Sequence, residues 1–181
     1  MKSRLNQFIL IFPVLIAVTI LSCSSEEKAD MSGKTYDDPF AYCEAAGTVD
    51  SPGPEYKGPA VPESIAEGLK KEFGSPESAP TDVFKRGTYW RCMDGRVYAC
   101  NVGANLPCTE KADTSKNPNK GMTDYCKDNP NAEFIPAYAS GRSTVYEWKC
   151  KGSKPEIVKK IIDADPVGYQ KNIWYKISPP E

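Results

Sequence analysis

The sequence predicts an α+β fold: a small antiparallel sheet with short helices, stapled by disulfides. Three observations point there. Six cysteines run from Cys43 to Cys150 behind a leader-like N-terminus, and an even set in an exported chain reads as a disulfide framework. Short runs rich in aromatic and β-branched residues flank turn signals such as Met93-Asp94-Gly95, as hairpins require. Helical periodicity is brief, and clearest where Ile65, Leu69 and Phe73 recur every four residues.

Residues 1–22 open with Lys2 and Arg4, continue as an apolar run from Phe8 to Leu21 and end on Ser22. The run contains Pro13 and falls short of the roughly 20 residues a membrane helix needs. It reads as a secretory signal that is removed. The end of this segment, Ile20-Leu21-Ser22-Cys23, resembles the lipobox of bacterial lipoproteins, in which the cysteine is lipidated and becomes the new N-terminus. Leu21 stands where that family usually has a small or β-branched residue. The resemblance implies a palmitate-type lipid on Cys23 and membrane attachment through it. Ser24, where inner-membrane retention commonly uses Asp, implies the outer membrane. Beyond the lipobox, the chain resembles exported proteins of Gram-negative bacteria, which implies an envelope location facing the periplasm or the cell surface and no particular activity. Lipidation of Cys23 also accounts for the seventh cysteine and leaves the even set.

Residues 23–37 are polar and charged, without apolar periodicity, and read as a lipidated N-terminus and flexible tether. Ser25-Glu26-Glu27-Lys28 fits the serine-lysine pattern of penicillin-recognising enzymes, but it sits in this tether without that family's other motifs. Residues 38–181 are expected to form one domain. Asp38 as N-cap, Pro39 at the first helical position and Gly47 as terminator predict a short helix carrying Phe40 and Cys43 on one side. A connector rich in Pro and Gly follows, and then the helix "PESIAEGLKKEFG", with Glu67 facing Lys71 and Gly74 closing it. "TYWRC" and "RVYAC" form a hairpin about Asp94-Gly95. "TEKADTSKNPNKG" is a loop, and "MTDYCKDNP" is one helical turn or two, stopped by Pro130. The C-terminal third, "STVYEWKC", "PEIVKKIID" and "NIWYKI", reads as a three-stranded meander with turns at Lys151-Gly152 and Pro166-Val167-Gly168.

Two pairs of phrases recur in the same order: "AYCEAAG" before "YWRC", and "DYCKDNP" before "YEWKC". Each half would place a Tyr-Cys on a short helix and a Trp-basic-Cys on a strand. Six cysteines allow fifteen pairings. In a hairpin turning at Asp94-Gly95, Cys92 lies opposite Val97 and Cys100 lies on the other face, so those two do not bond. Bonding within each half then predicts Cys43–Cys92 and Cys126–Cys150, with Cys100–Cys108 closing the "NVGANLP" loop.

Available chemistry is narrow. The chain has no histidine, which removes Ser-His and Cys-His catalytic pairs and histidine-containing zinc sites. No C-x-x-C occurs, as zinc clusters and thiol–disulfide exchange would use, and no Gly-rich phosphate loop occurs, so no metal or cofactor is expected. After residue 22 the chain holds 21 basic and 24 acidic residues, far from the basic footprint of a nucleic-acid binder. Glu147, Glu156, Asp163 and Asp165 are the carboxylates that could flank a sugar in a cell-wall glycan hydrolase. For partner binding, Trp174 stands between Asn172 and Lys176 on one strand face, and Asn105 and Leu106 sit in a loop rigidified by its cysteines. The leading expectation is a lipid-anchored, non-catalytic envelope protein that binds a protein or glycan. The alternatives are the carboxylate hydrolase and a purely structural envelope lipoprotein.

Overall fold

The computed structural model describes Met31 and residues 33–180; Cys23 and the leader lie outside the described residues. Helix α1 (Pro39–Ala46) starts where the Asp38 carboxylate accepts from the Ala41 amide at 2.7 Å and ends at Gly47, whose φ of +69° suits only glycine well. Helix α2 (Glu63–Glu72) buries Ile65, Ala66 and Leu69. Glu67 pairs with Lys70 at 3.7 Å, one residue short of the expected Lys71, and also accepts from Thr81. A further helix, α3 (Thr81–Lys85), follows Pro80 and is tied back to α2 by a Lys85–Glu63 ion pair. Residues ahead of Asp38 also join the fold. Tyr36 exchanges backbone hydrogen bonds with Glu55 and Lys57, and Met31 packs on the core.

Strands β1 (Thr88–Met93) and β2 (Arg96–Asn101) form the expected hairpin, with Cys92 opposite Val97. Asp94 and Gly95 both take positive φ, +52° and +71°, as a twisted two-residue turn needs. Alternation gives this sheet two buried faces. Trp90, Cys92, Val97 and Ala99 meet α1 and α2 through Tyr42, Cys43, Ile65 and Leu69. On the other face Cys100 joins Cys108, Tyr169, Ile173 and Trp174. Helices α4 (Lys120–Asp128) and α5 (Ala137–Ser140) and the hairpin β3 (Tyr146–Lys151)–β4 (Lys154–Lys160) enclose a third core around Met122, Cys126, Ile135 and Trp148.

The expected three-stranded meander does not form. Strand β5 (Tyr175–Ile177) leaves the β3–β4 hairpin and pairs antiparallel with β2, giving the order β1-β2-β5. Ile177 opposes Val97 and enters the first core, where Gly68 of α2 has no side chain to obstruct it. The turn at residues 166–168 forms as expected, and the segment around it carries the chain back.

All three disulfides follow the pairing read from parity and internal correspondence: Cys43–Cys92, Cys100–Cys108 and Cys126–Cys150, with Cα separations of 5.1, 5.7 and 5.4 Å. The correspondence between halves extends well past the cysteines. In each, a helix bearing Tyr-Cys is bonded to the first strand of a hairpin, at the second residue pair from the turn, and a buried Trp lies two residues earlier. Chain following each helix bonds to the hairpin cysteine, Val49 with Cys92 and Ala132 with Cys150. A positive-φ residue, Gly47 or Asn131, accepts from or donates to the turn glycine, Gly95 or Gly152.

Candidate functional site

The stapled loop presents less than its sequence suggested. Gly103–Asn105 is a 3₁₀ turn, and Asn105, at φ +64°, is exposed. Leu106 is half-buried against the cluster of Cys108, Tyr169 and Trp174, so it anchors the loop. Trp174, the candidate for partner binding, is packed inside and not exposed. Only 7% of it is accessible, because its ring packs under the Arg91 guanidinium at 4.4 Å and against Tyr169 at 5.4 Å. Its segment is the irregular chain between the 3₁₀ turn Lys171–Ile173 and β5, so strand alternation does not hold and Ile173 and Trp174 are both buried. Trp90 and Trp148 are buried too, leaving no exposed indole for a partner.

Arg91 organises this region. Its side chain is fully buried and ion-paired with Asp165, whose other oxygen accepts from the Val167 and Tyr169 amides, each at 3.0 Å. The Tyr169 ring lies 4.5 Å from the guanidinium and 3.8 Å from the ammonium of Lys111, which also binds Asp50 and the Val167 carbonyl. The Asp165 carboxylate is thus committed to holding the chain that returns from β4 to β5. Arg91 Nε and Nη1 and the Trp174 indole N–H have no protein partner among the described residues.

The other three expected carboxylates are also ion-paired. Glu147 lies 3.4 Å from Lys159, Glu156 lies 3.5 and 3.4 Å from Lys149 and Lys151, and Asp163 lies 2.5 Å from Lys160. The Lys160 hydrogen bond holds the Asp163 carboxyl below its ordinary range. That bond favours the charged form of Asp163, whereas a glycosidase acid must keep its proton. Glu147 and Glu156 do share, with Glu133, one shallow depression of about 460 Å³ on the outer face of β3–β4.

Two other surfaces stand out. An open groove of about 1110 Å³ runs between α1, the Asp94-Gly95 turn and the chain after β5, with Phe40, Val97 and Ile177 in its lining and Glu44, Asp94 and Arg96 beside them. The second surface is aromatic. Tyr138 is 84% exposed and Phe134 60%, and the Tyr125 ring meets Tyr138 edge-on at 6.0 Å. Their support is rigid. Asn119 caps α4 through the Met122 amide at 2.8 Å and donates to the Ser140 carbonyl of α5 at 3.1 Å. Gly121 lets the two helices approach, since a β-carbon there would sit 2.7 Å from the Ala139 carbonyl oxygen.

Sequence reading overlooked this face. In "NAEFIPAYAS", Ile135 and Ala139 are buried while Phe134 and Tyr138 are exposed. The two pairs share one spacing, and Pro136 divides them, so only the packing distinguishes inside from outside. No protein-family model, curated protein or solved structure matches the chain.

Proposed function

We propose that the chain is a lipid-anchored, non-catalytic protein of the bacterial envelope that binds a protein or glycan partner through the exposed aromatics Tyr138, which lies beside Tyr125, and Phe134. The observation that carries this reading is the exposure of Tyr138 on α5, which Asn119 and the close approach at Gly121 hold against α4, itself bonded to β3 through Cys126–Cys150. An aromatic held out from a rigid support offers contact area with little ordering cost on binding. Disulfides suit an oxidising compartment outside the cytoplasm, which accords with the leader.

Capture from the envelope tests the reading: the wild type should retain a partner that Tyr138→Ala and Phe134→Ala release. Equal retention by all three would refute it. The anchor has its own test, since Cys23→Ser should abolish palmitate labelling and move the protein to the aqueous fraction. The hydrolase reading retains the depression shared by Glu133, Glu147 and Glu156. Release of soluble fragments from cell-wall glycan, lost in both Glu147→Gln and Glu156→Gln, would establish it instead.

A further inference from the structure

The correspondence between the two hairpins breaks at one edge. In the first, β2 takes β5 as a third strand, with Val97 opposite Ile177 and Ala99 opposite Tyr175. In the second, β3 and β4 stand as a two-stranded sheet, and no third strand lies beside β4 among the described residues.

Backbone parity shows which groups each edge offers. Cys92 exchanges hydrogen bonds with Val49 on the far side of β1, so the Cys92–Val97 pair does not bond across the hairpin, and the Val97 N–H and C=O point outward to β5. The second hairpin follows the same parity. The Cys150 amide donates to Ala132 and the Trp148 carbonyl accepts from Ile135, so their partners Pro155 and Ile157 turn their own backbone groups away from β3. Counted from the turns, Pro155 occupies the place of Val97, and Ile157 that of Ala99. Where Val97 presents an N–H to β5, Pro155 has none to give.

The side chains along β4 otherwise match β5. In the register used on β2, Ile177 would face residue 155, Lys176 would face Glu156, and Tyr175 would face Ile157. The two apolar side chains would then lie on the side of buried Trp148 and Cys150, and the central pair would join opposite charges.

We infer that Pro155 closes the outer edge of β4 to strand addition and so helps to direct β5 to β2. The path of residues 161–174 carries β5 to the first hairpin, and Pro155 removes the alternative, both within one chain and between the β5 of one copy and the β4 of another. One missing donor weighs heavily because β5 is only three residues long. The device is independent of what the aromatic face binds.

A β5 peptide offered in trans is free of the connecting path and reports on the edge alone. Residues 172–179, NIWYKISP, are titrated into the full chain and into its Pro155→Val and Pro155→Ala variants, and NMR shifts of β4 amides are followed. Both variants restore the N–H, and the alanine does so without a β-branched side chain. Saturable binding at β4 is expected in both, at least ten-fold tighter than any at β4 of the wild type. Exchange of the Ile157 amide with solvent should slow with bound peptide in the variants and stay unchanged in the wild type. Near-ultraviolet circular dichroism reports whether each variant keeps the fold. Equal binding at β4 by all three chains, or none in either variant, overturns the inference. Binding to Pro155→Val alone overturns it too, since the effect would then belong to the side chain and not to the N–H. So do shifts confined to β2 in all three chains, which would mean that the peptide only exchanges with β5.

Discussion

Replacing each disulfide in turn by a pair of alanines should weaken the protein in order of loop length. The bonds span 49, 24 and 8 residues, for Cys43–Cys92, Cys126–Cys150 and Cys100–Cys108. Loop-closure entropy of the unfolded chain assigns them about 4.1, 3.4 and 2.5 kcal/mol. The folded-state cost of the substitution is similar in the three cases, since all six cysteines are at least 96% buried and each variant removes the same two sulfurs. Differences among the variants therefore report on the unfolded chain. Because the three loops do not overlap in sequence, closing one leaves the others' lengths unchanged, and the contributions should add. Urea unfolding without reductant measures the free energies. A Cys100→Ala/Cys108→Ala variant that loses as much as Cys43→Ala/Cys92→Ala would refute the entropic reasoning and place the stabilisation in native packing around Trp174.

Further outcomes follow from single contacts. Asp165→Ala leaves the Arg91 guanidinium buried without its partner and should cost about 3–5 kcal/mol, whereas Arg91→Met with Asp165→Ala should recover much of that loss. Calorimetry of the two variants decides it, and equal losses would deny Arg91 its role as a charged clamp. Gly121→Ala would ordinarily strengthen a helix, but the Ala139 carbonyl stands in the way, so a net loss of about 1–3 kcal/mol is expected; a gain in melting temperature would contradict the close approach of α4 and α5. Burial, aided by Asp38 and Asp37, raises the Tyr56 phenol to about 12. An unfolded chain ionises this group near pH 10, so the stabilisation is whole below that pH and fades as pH climbs through 12. The loss is bounded by about 2.7 kcal/mol, and solvent around the half-buried ring reduces it. Tyr56→Phe should flatten that part of the pH–stability curve, and an unchanged slope would locate the effect elsewhere.

What could be read in the sequence was local. Asp38, Pro39 and Gly47 mark α1 because caps and turns depend on neighbours in the chain, and Asp94-Gly95 sets the register that places Cys92 and Cys100 on opposite faces. From that parity and the repeated phrases the disulfide pairing followed. Strand partners were another matter. The pattern Tyr175-Lys176-Ile177 says that one side is buried, but not whether the neighbour is Val97 or Ile157, and that choice depends on the path of residues 161–174. Trp174 shows the same limit, since its burial comes from Arg91, eighty-three positions earlier in the chain. The aromatic face was hidden for a related reason: Tyr138 is exposed because Ala139 and Ile135 claim the interior, and three hydrophobic neighbours in a row look alike until one knows where α4 lies.

For a chain exported as proposed, the order of the cysteines has a consequence for biogenesis. Each of the six bonds to the next one along the chain, first with second, third with fourth, fifth with sixth. A polypeptide that emerges from a translocation pore N-terminus first exposes its thiols in that same order. An oxidase acting on whichever two thiols have most recently come through would then make the native set directly. No wrong partner need be undone, so an isomerase should be dispensable for this protein, while loss of the oxidase should leave it reduced and open to proteolysis.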